Sequence, residues 1–249
     1  MIGIVGGVGP LAGLDVVKKI IEETIAVKDQ DHLPLILSSQ PNRIVDRTAY
    51  LVGQEEMNPG YAIASIILEL EKSGVTVAGI PNHTAHAPRI FDVIQEELLV
   101  NGSQVTLLNL IEETARFIKE HYGEIAVGIL STTGTRNTRI YKLILESLGL
   151  TAVEPDEEWQ QKIHAAIYDE TYGLKAVISV TNRAREDLVA SVSQLKHQGA
   201  QAIILGSSEL PLALKEKEYA GLPLIDPNRI LARALIQKLE PSKLCEFKP

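Results

Sequence analysis

Short apolar runs rich in β-branched residues alternate with amphipathic stretches along this chain, and that alternation restricts the fold more than any other feature. The runs Ile2 to Val5, Leu33 to Leu37, Val75 to Ile80, Gln104 to Leu108, Ile125 to Leu130, Ala202 to Leu205 and Leu222 to Ile225 predict strands. Their apolarity on both sides predicts burial on both faces. Between them, Leu11 to Ile25, Tyr61 to Lys72, Ile111 to His121, Thr138 to Leu148, Arg183 to Lys196 and Ile230 to Leu239 carry helical periodicity. A strand followed by a helix, repeated, is the pattern of a parallel sheet covered on both faces.

A second regularity narrows the topology. Laid on itself with an offset of 125 residues, the chain puts Gly3-Ile4-Val5 on Gly128-Ile129-Leu130, Gly9 on Gly134, Gly74 on Gly199 and Asn82 on Ser207 (3 + 125 = 128, 82 + 125 = 207). The expected architecture is therefore α/β, with two pseudosymmetric doubly wound domains. One is formed by residues 1–109 plus 224–249, closed by the C-terminal helix, and the other by 110–223. Ligands of open α/β sheets sit at the carboxyl ends of the strands, so the loops after equivalent strands are expected to face a cleft between the domains.

Composition sets the remaining bounds. Asp plus Glu outnumber Lys plus Arg by 32 to 24, a net charge of −8, and a field of that sign repels phosphate backbones, so no nucleic-acid partner is expected. Cys245 is the only cysteine, which excludes an internal disulfide. No basic, then apolar leader opens the chain and no apolar run approaches the roughly 20 residues of a membrane span. The expectation is a cytoplasmic protein with no membrane partner.

Four loops could carry chemistry. Gly6-Gly7-Val8-Gly9-Pro10-Leu11-Ala12 nominally fits the dinucleotide fingerprint, but the second strand ends in Ser38-Ser39-Gln40-Pro41 rather than in the acid that would hold a ribose, so no cofactor is expected. Glycines and a proline here suit a tight turn into a helix, whose N–H groups could hold a carboxylate. The repeat-equivalent loop, Ser131-Thr132-Thr133-Gly134-Thr135, offers hydroxyls either to cap the next helix or to bind the same ligand. After the third strand of each half come Pro81-Asn82-His83-Thr84-Ala85-His86 and Gly206-Ser207-Ser208-Glu209-Leu210-Pro211.

These last two segments resemble the catalytic loops of the aspartate/glutamate racemase family, P-C-N-T-A-H and G-C-T-E. The resemblance extends to Gly6-Gly7-Val8-Gly9-Pro10 (G-G-M-G-P), Asp29-Gln30-Asp31-His32 with Pro34 (D-Q-D-H-x-P), Asp46-Arg47-Thr48-Ala49 (D-R-T-A), Ile111-Glu112-Glu113-Thr114-Ala115 (I-E-E-T-A) and Thr132-Thr133-Gly134-Thr135 (T-T-G-T). It implies a cofactor-independent, metal-independent amino-acid racemase, a homodimer, in which two cysteines transfer protons on opposite faces of a small amino acid or dicarboxylate. It further implies substrate contacts from Gly7, Val8, Gly9, Arg47, Thr84, Thr132, Thr133, Gly134 and Ser208. Arg47 would take a distal carboxylate, a surface salt bridge being its other reading. The family's second basic group falls on Tyr172 or on Lys175.

The chain departs from the family where the chemistry is concentrated. Asn82 and Ser207 stand at the positions of the two cysteines, and neither an amide nor an unassisted hydroxyl ionises near neutrality as a thiol does. Two-thiol racemisation is therefore expected to be lost or altered. His83, with Ser207 and Glu209, could supply a base and a hydroxyl with an acidic partner for a lyase or hydrolase. The alternative is a catalytically inactive homologue that binds a ligand or regulates. His32 is expected to be structural, His86 either holds its own loop by hydrogen bonds or takes part in catalysis, and no spacing suits a metal.

Overall fold

The alternating runs form two sheets. A computed structural model describes residues 1–176 and 179–247, so the last two positions of the expected 224–249 segment lie outside the described residues. The chain divides into one unit of Met1–Glu113 with the segment from Asn228 onward, and a second of Thr114–Pro227. The expected limits are 109/110 and 223/224, and Leu222–Ile225 pairs within the second sheet, which carries the second limit beyond 223/224.

In unit 1 the order is β1 (Ile2–Gly6), α1 (Pro10–Glu23), β2 (Leu35–Ser39), α2 (Arg47–Leu51), α3 (Pro59–Lys72), β3 (Val77–Gly79), α4 (Pro88–Val100) and β4 (Thr106–Leu108), after which α5 (Leu110–Tyr122) carries the chain onward. Unit 2 holds β5 (Ala126–Ser131), α6 (Thr133–Thr138), α7 (Ile140–Ser147), β6 (Thr151–Val153), α8 (Glu157–Tyr168), α9 (Asn182–His197), β7 (Ala202–Gly206), α10 (Leu210–Ala213), β8 (Glu218–Tyr219) and β9 (Leu222–Ile225). The last helix, α11 (Pro227–Leu239), belongs to unit 1 from Asn228 on. Strand orders are β2-β1-β3-β4 and β6-β5-β7-β9-β8, with parallel pairings except for the β8–β9 hairpin.

The repeat holds at the level of register. Ile2 pairs with Val77 and Ile4 with Gly79 in unit 1, and adding 125 to each gives Val127 with Ala202 and Ile129 with Ile204, which are paired in unit 2. Helix starts are fixed locally: the Asp46 side chain caps α2 through the Ala49 N–H, Asp156 caps α8 through Trp159, and Thr181 caps α9 through Ala184, each such cap being worth about 1 kcal/mol.

Two expectations are corrected. The edge strands β2 and β4 are only half-buried, since an edge strand lacks one neighbour to cover it. The expected helix over Thr138 to Leu148 starts at Ile140, because Arg139 adopts φ 56 between α6 and α7. The Thr138 hydroxyl donates to the Thr135 carbonyl at 2.6 Å and closes the end of α6 there.

The core of unit 1 packs Ile63, Ile66 and Ile67 of α3 and Ile90 and Ile94 of α4 over Val5 and Ala78 of the sheet. That of unit 2 packs Leu188, Val192 and Leu195 of α9 on Ile203 and Leu205. Truncating any of these isoleucines or leucines to alanine costs about 2–5 kcal/mol. α11 is held on α1 by ions: Arg229 donates to Glu22 at 2.8 Å and to Glu23 at 2.6 Å, Arg233 also pairs with Glu23, and Asn228 donates to Asp15 at 2.9 Å.

Candidate functional site

Unit 1 places its candidate residues on the loops that leave β1 and β3. The β1 loop turns through Gly7 at φ 85 and Gly9 at φ 114, values that favour glycine, and Pro10 opens α1 as its sequence position predicts. A Cβ on Gly7 would stand 2.7 Å from the Pro41 nitrogen, so the turn also needs the space. Val8 is fully buried, and its carbonyl faces the β3 loop.

Asn82 is the brace between these loops. Its Nδ2 donates to the Val8 carbonyl at 2.8 Å, while its Oδ1 accepts from the Thr84 hydroxyl at 3.0 Å and the Ala85 N–H at 2.9 Å. An amide places donor and acceptor on two separate atoms, whereas a thiol or hydroxyl has one atom for both. His83, beside it, is buried at the start of a 3₁₀ turn over Thr84–His86. His86 is also buried and donates from Nε2 to the Ile80 carbonyl at 3.0 Å. Burial brings its pKa down to about 4, against a smaller raising effect of the Ile80 bond, so at neutral pH it is an uncharged structural ring packed 5.1 Å from Phe91. Arg47 is half-buried at the first position of α2.

Cys245 is remote from these loops. Its N–H donates to the Glu23 carbonyl at the far end of α1, about 20 Å from the β1 loop at 1.5 Å per helical residue.

Unit 2 gathers its candidates around the loops after β5 and β7, which are adjacent strands with Ser131 opposite Gly206. Thr132 caps α6, accepting from the Thr135 N–H at 3.2 Å and donating to the Thr135 hydroxyl at 3.1 Å. Thr133 and Gly134 form the first turn of that helix. On the β7 loop, the Ser207 hydroxyl donates to Glu209 Oε2 at 2.6 Å and the Ser208 hydroxyl to the same oxygen at 3.1 Å. The other oxygen, Oε1, is 3.5 Å from Lys175 Nζ. Lys175 also donates to the Tyr168 phenol at 3.2 Å and covers its ring at 4.4 Å. Tyr172, the other position considered for a basic contact, instead lies 3.9 Å beneath the Arg183 guanidinium.

Three residues of α8 that sequence reasoning missed complete this cluster. Gln160 is fully buried and donates to the Ser131 carbonyl at 2.9 Å. His164 Nδ1 accepts from the Thr133 N–H at 3.4 Å, and its ring stacks on Tyr168 at 4.9 Å. Burial, then the Lys175 cation, hold its pKa below the usual histidine value. The 160/164/168 spacing puts all three on one helix face, and that period was the signal available. Among the described residues, no group of three His, Cys, Asp or Glu side chains could hold a metal ion, and no helix is long and apolar enough to cross a membrane.

Comparison with known proteins agrees with this fold over nearly the full length. The broad specificity amino-acid racemase RacX of Bacillus subtilis (strain 168) is 28% identical over 243 residues, covering 95% of this chain and 96% of that protein. The structure of Picrophilus torridus aspartate racemase matches with a TM-score of 0.77 at 27% identity, over 98% of this chain and 95% of that one. An aspartate racemase homologue from Pyrococcus horikoshii OT3 matches with a TM-score of 0.73 at 25% identity, over 95% and 97%. The family model for Asp/Glu/hydantoin racemases matches residues 5–235, and the chain belongs to that family.

Proposed function

We propose that this protein binds a small amino acid at the loops after β5 and β7 of unit 2, and that it does not invert its ligand by the two-thiol route. The observation that carries the reading is the use already made of the two residues at the family's cysteine positions. Asn82 commits its amide oxygen to Thr84 and Ala85 and an amide N–H to Val8, and an amide does not ionise near neutrality, so that position holds no proton-transfer group. Ser207 is hydrogen-bonded to a carboxylate whose partner is a lysine, which leaves its hydroxyl a hydrogen-bond donor rather than an alkoxide. Each missing acid or base is worth about 10² to 10⁴ in rate.

The amino-acid class of the ligand is supported by the relatives, one described as a broad specificity amino-acid racemase and one as an aspartate racemase. A reading as a lyase or hydrolase through Ser207 and Glu209 draws on the 2.6 Å bond between them, but the same carboxylate oxygen is shared with the Ser208 hydroxyl and its other oxygen faces Lys175. The test is saturation-transfer NMR with L- and D-alanine, aspartate and glutamate. Saturable transfer that Ser207→Ala and Ser208→Ala weaken is the expected result, and no transfer to any of the six would overturn the proposal.

A further inference from the structure

The Lys175–Glu209 pair bears on which amino acid that seat accepts, a question that rests on the seat proposed above. Glu209 is divided between two tasks: Oε2 takes both serine hydroxyls, and Oε1 faces Lys175. On its other side the lysine rests on Tyr168. Lys175 is therefore a cation beside the loop whose charge a carboxylate of the same chain already balances. We infer that Glu209 is an internal counter-ion occupying the anion position Lys175 would otherwise offer, so that the seat selects amino acids with uncharged side chains over aspartate and glutamate.

The physical reason is exchange. An incoming side-chain carboxylate has to displace Glu209 from Lys175, and it then stands close to the negative charge it displaced, a like-charge contact that disfavours both. The displaced Glu209 would also lose the geometry that holds Ser207 and Ser208. An uncharged side chain disturbs neither bond. The residues of α8 that continue the cluster, Gln160, His164 and Tyr168, add hydrogen-bonding and aromatic surface, with His164 held toward its neutral form by burial and by Lys175.

The test is calorimetric titration of the full-length protein and its Glu209→Gln, Lys175→Met and double variants with L-alanine and with L-aspartate. Glutamine keeps an acceptor for both serines while removing the carboxylate charge that faces Lys175. An ion pair as open to solvent as this one is worth up to about fivefold in affinity. Glu209→Gln should therefore gain up to about fivefold for aspartate relative to alanine, and the double variant should lose that gain. The natural chain should prefer alanine by a similar factor.

Equal binding of aspartate and alanine by the natural chain overturns the inference, as does a Glu209→Gln variant with no gain; in both cases the amino-acid seat itself stands. If neither ligand binds any of the four proteins, the seat and the inference fall together. A second readout does not depend on ligand: by NMR the His164 titration should move to lower pH in Glu209→Gln, which removes a negative charge from beside Lys175, and to higher pH in Lys175→Met. No movement in either variant would show that the pair is not assembled as described.

Discussion

Asn82 stands where the family resemblance puts a catalytic cysteine, yet its geometry is that of a structural brace, and removing its side chain measures that role directly. Asn82→Ala deprives the Val8 carbonyl, the Ala85 N–H and the Thr84 hydroxyl of one partner each. A buried polar group left unsatisfied costs about 1–3 kcal/mol. Because Asn82 is only half-buried, water can recover part of this, so the expected loss is about 2–3 kcal/mol. At roughly 2–4 °C per kcal/mol for a chain of this size, the unfolding midpoint of unit 1 should fall by about 4–12 °C. Hydrogen exchange localises the effect: protection of the Ala85 amide should drop by about 30- to 150-fold, the same free energy expressed as an opening constant. Asn82→Cys should lose as much as alanine. Asn82→Asp should fall between, since it keeps the acceptor but sets a carboxylate against the Val8 carbonyl. An Asn82→Ala protein within about 0.5 kcal/mol of the natural chain, with Ala85 protection unchanged, would refute the brace.

Two further perturbations probe the fold around the site. His86 is neutral when folded, with its pKa at about 4, while the unfolded ring titrates near 6.5. Its contribution is therefore full above about pH 6.5 and is lost as pH falls toward 4, about 3 kcal/mol in all. The stability gap between the natural chain and His86→Gln in urea titrations should narrow over that window, and a gap independent of pH would contradict the assignment. Arg139 is exposed at φ 56, where a side chain costs about 1 kcal/mol. Arg139→Gly should raise stability by about 0.5–1 kcal/mol in calorimetry, and a loss would show that the break between α6 and α7 needs the arginine.

The architecture was largely legible because it depends on local pattern. Runs such as Ile2 to Val5 and Ala202 to Leu205 are apolar on both sides, and one offset of 125 residues relates the halves down to the pairing of Ile4 with Gly79 and Ile129 with Ile204. Elements with weak local pattern were not legible. β6 has three residues, too few to show a period, and the break at Arg139 follows from a hydrogen bond inside Thr135 to Thr138.

The site loops announce themselves by Gly, Asn and Ser, but their roles depend on partners distant in sequence. The brace made by Asn82 requires the carbonyl of Val8, and the pairing of Lys175 requires Glu209. Sequence could offer Tyr172 and Lys175 equally as the basic contact; only packing sends Tyr172 beneath Arg183 and Lys175 to the serine loop.

The central claim is that this racemase-family chain, with Asn82 and Ser207 in place of paired thiols, holds an amino acid without inverting it. The most direct measurement incubates the natural protein with single enantiomers of alanine, aspartate and glutamate in deuterated water, following α-proton exchange by NMR and enantiomeric composition by chiral chromatography. The account predicts saturable binding with no interconversion of L and D forms above the protein-free control. Interconversion of any of these amino acids by the natural chain would contradict it.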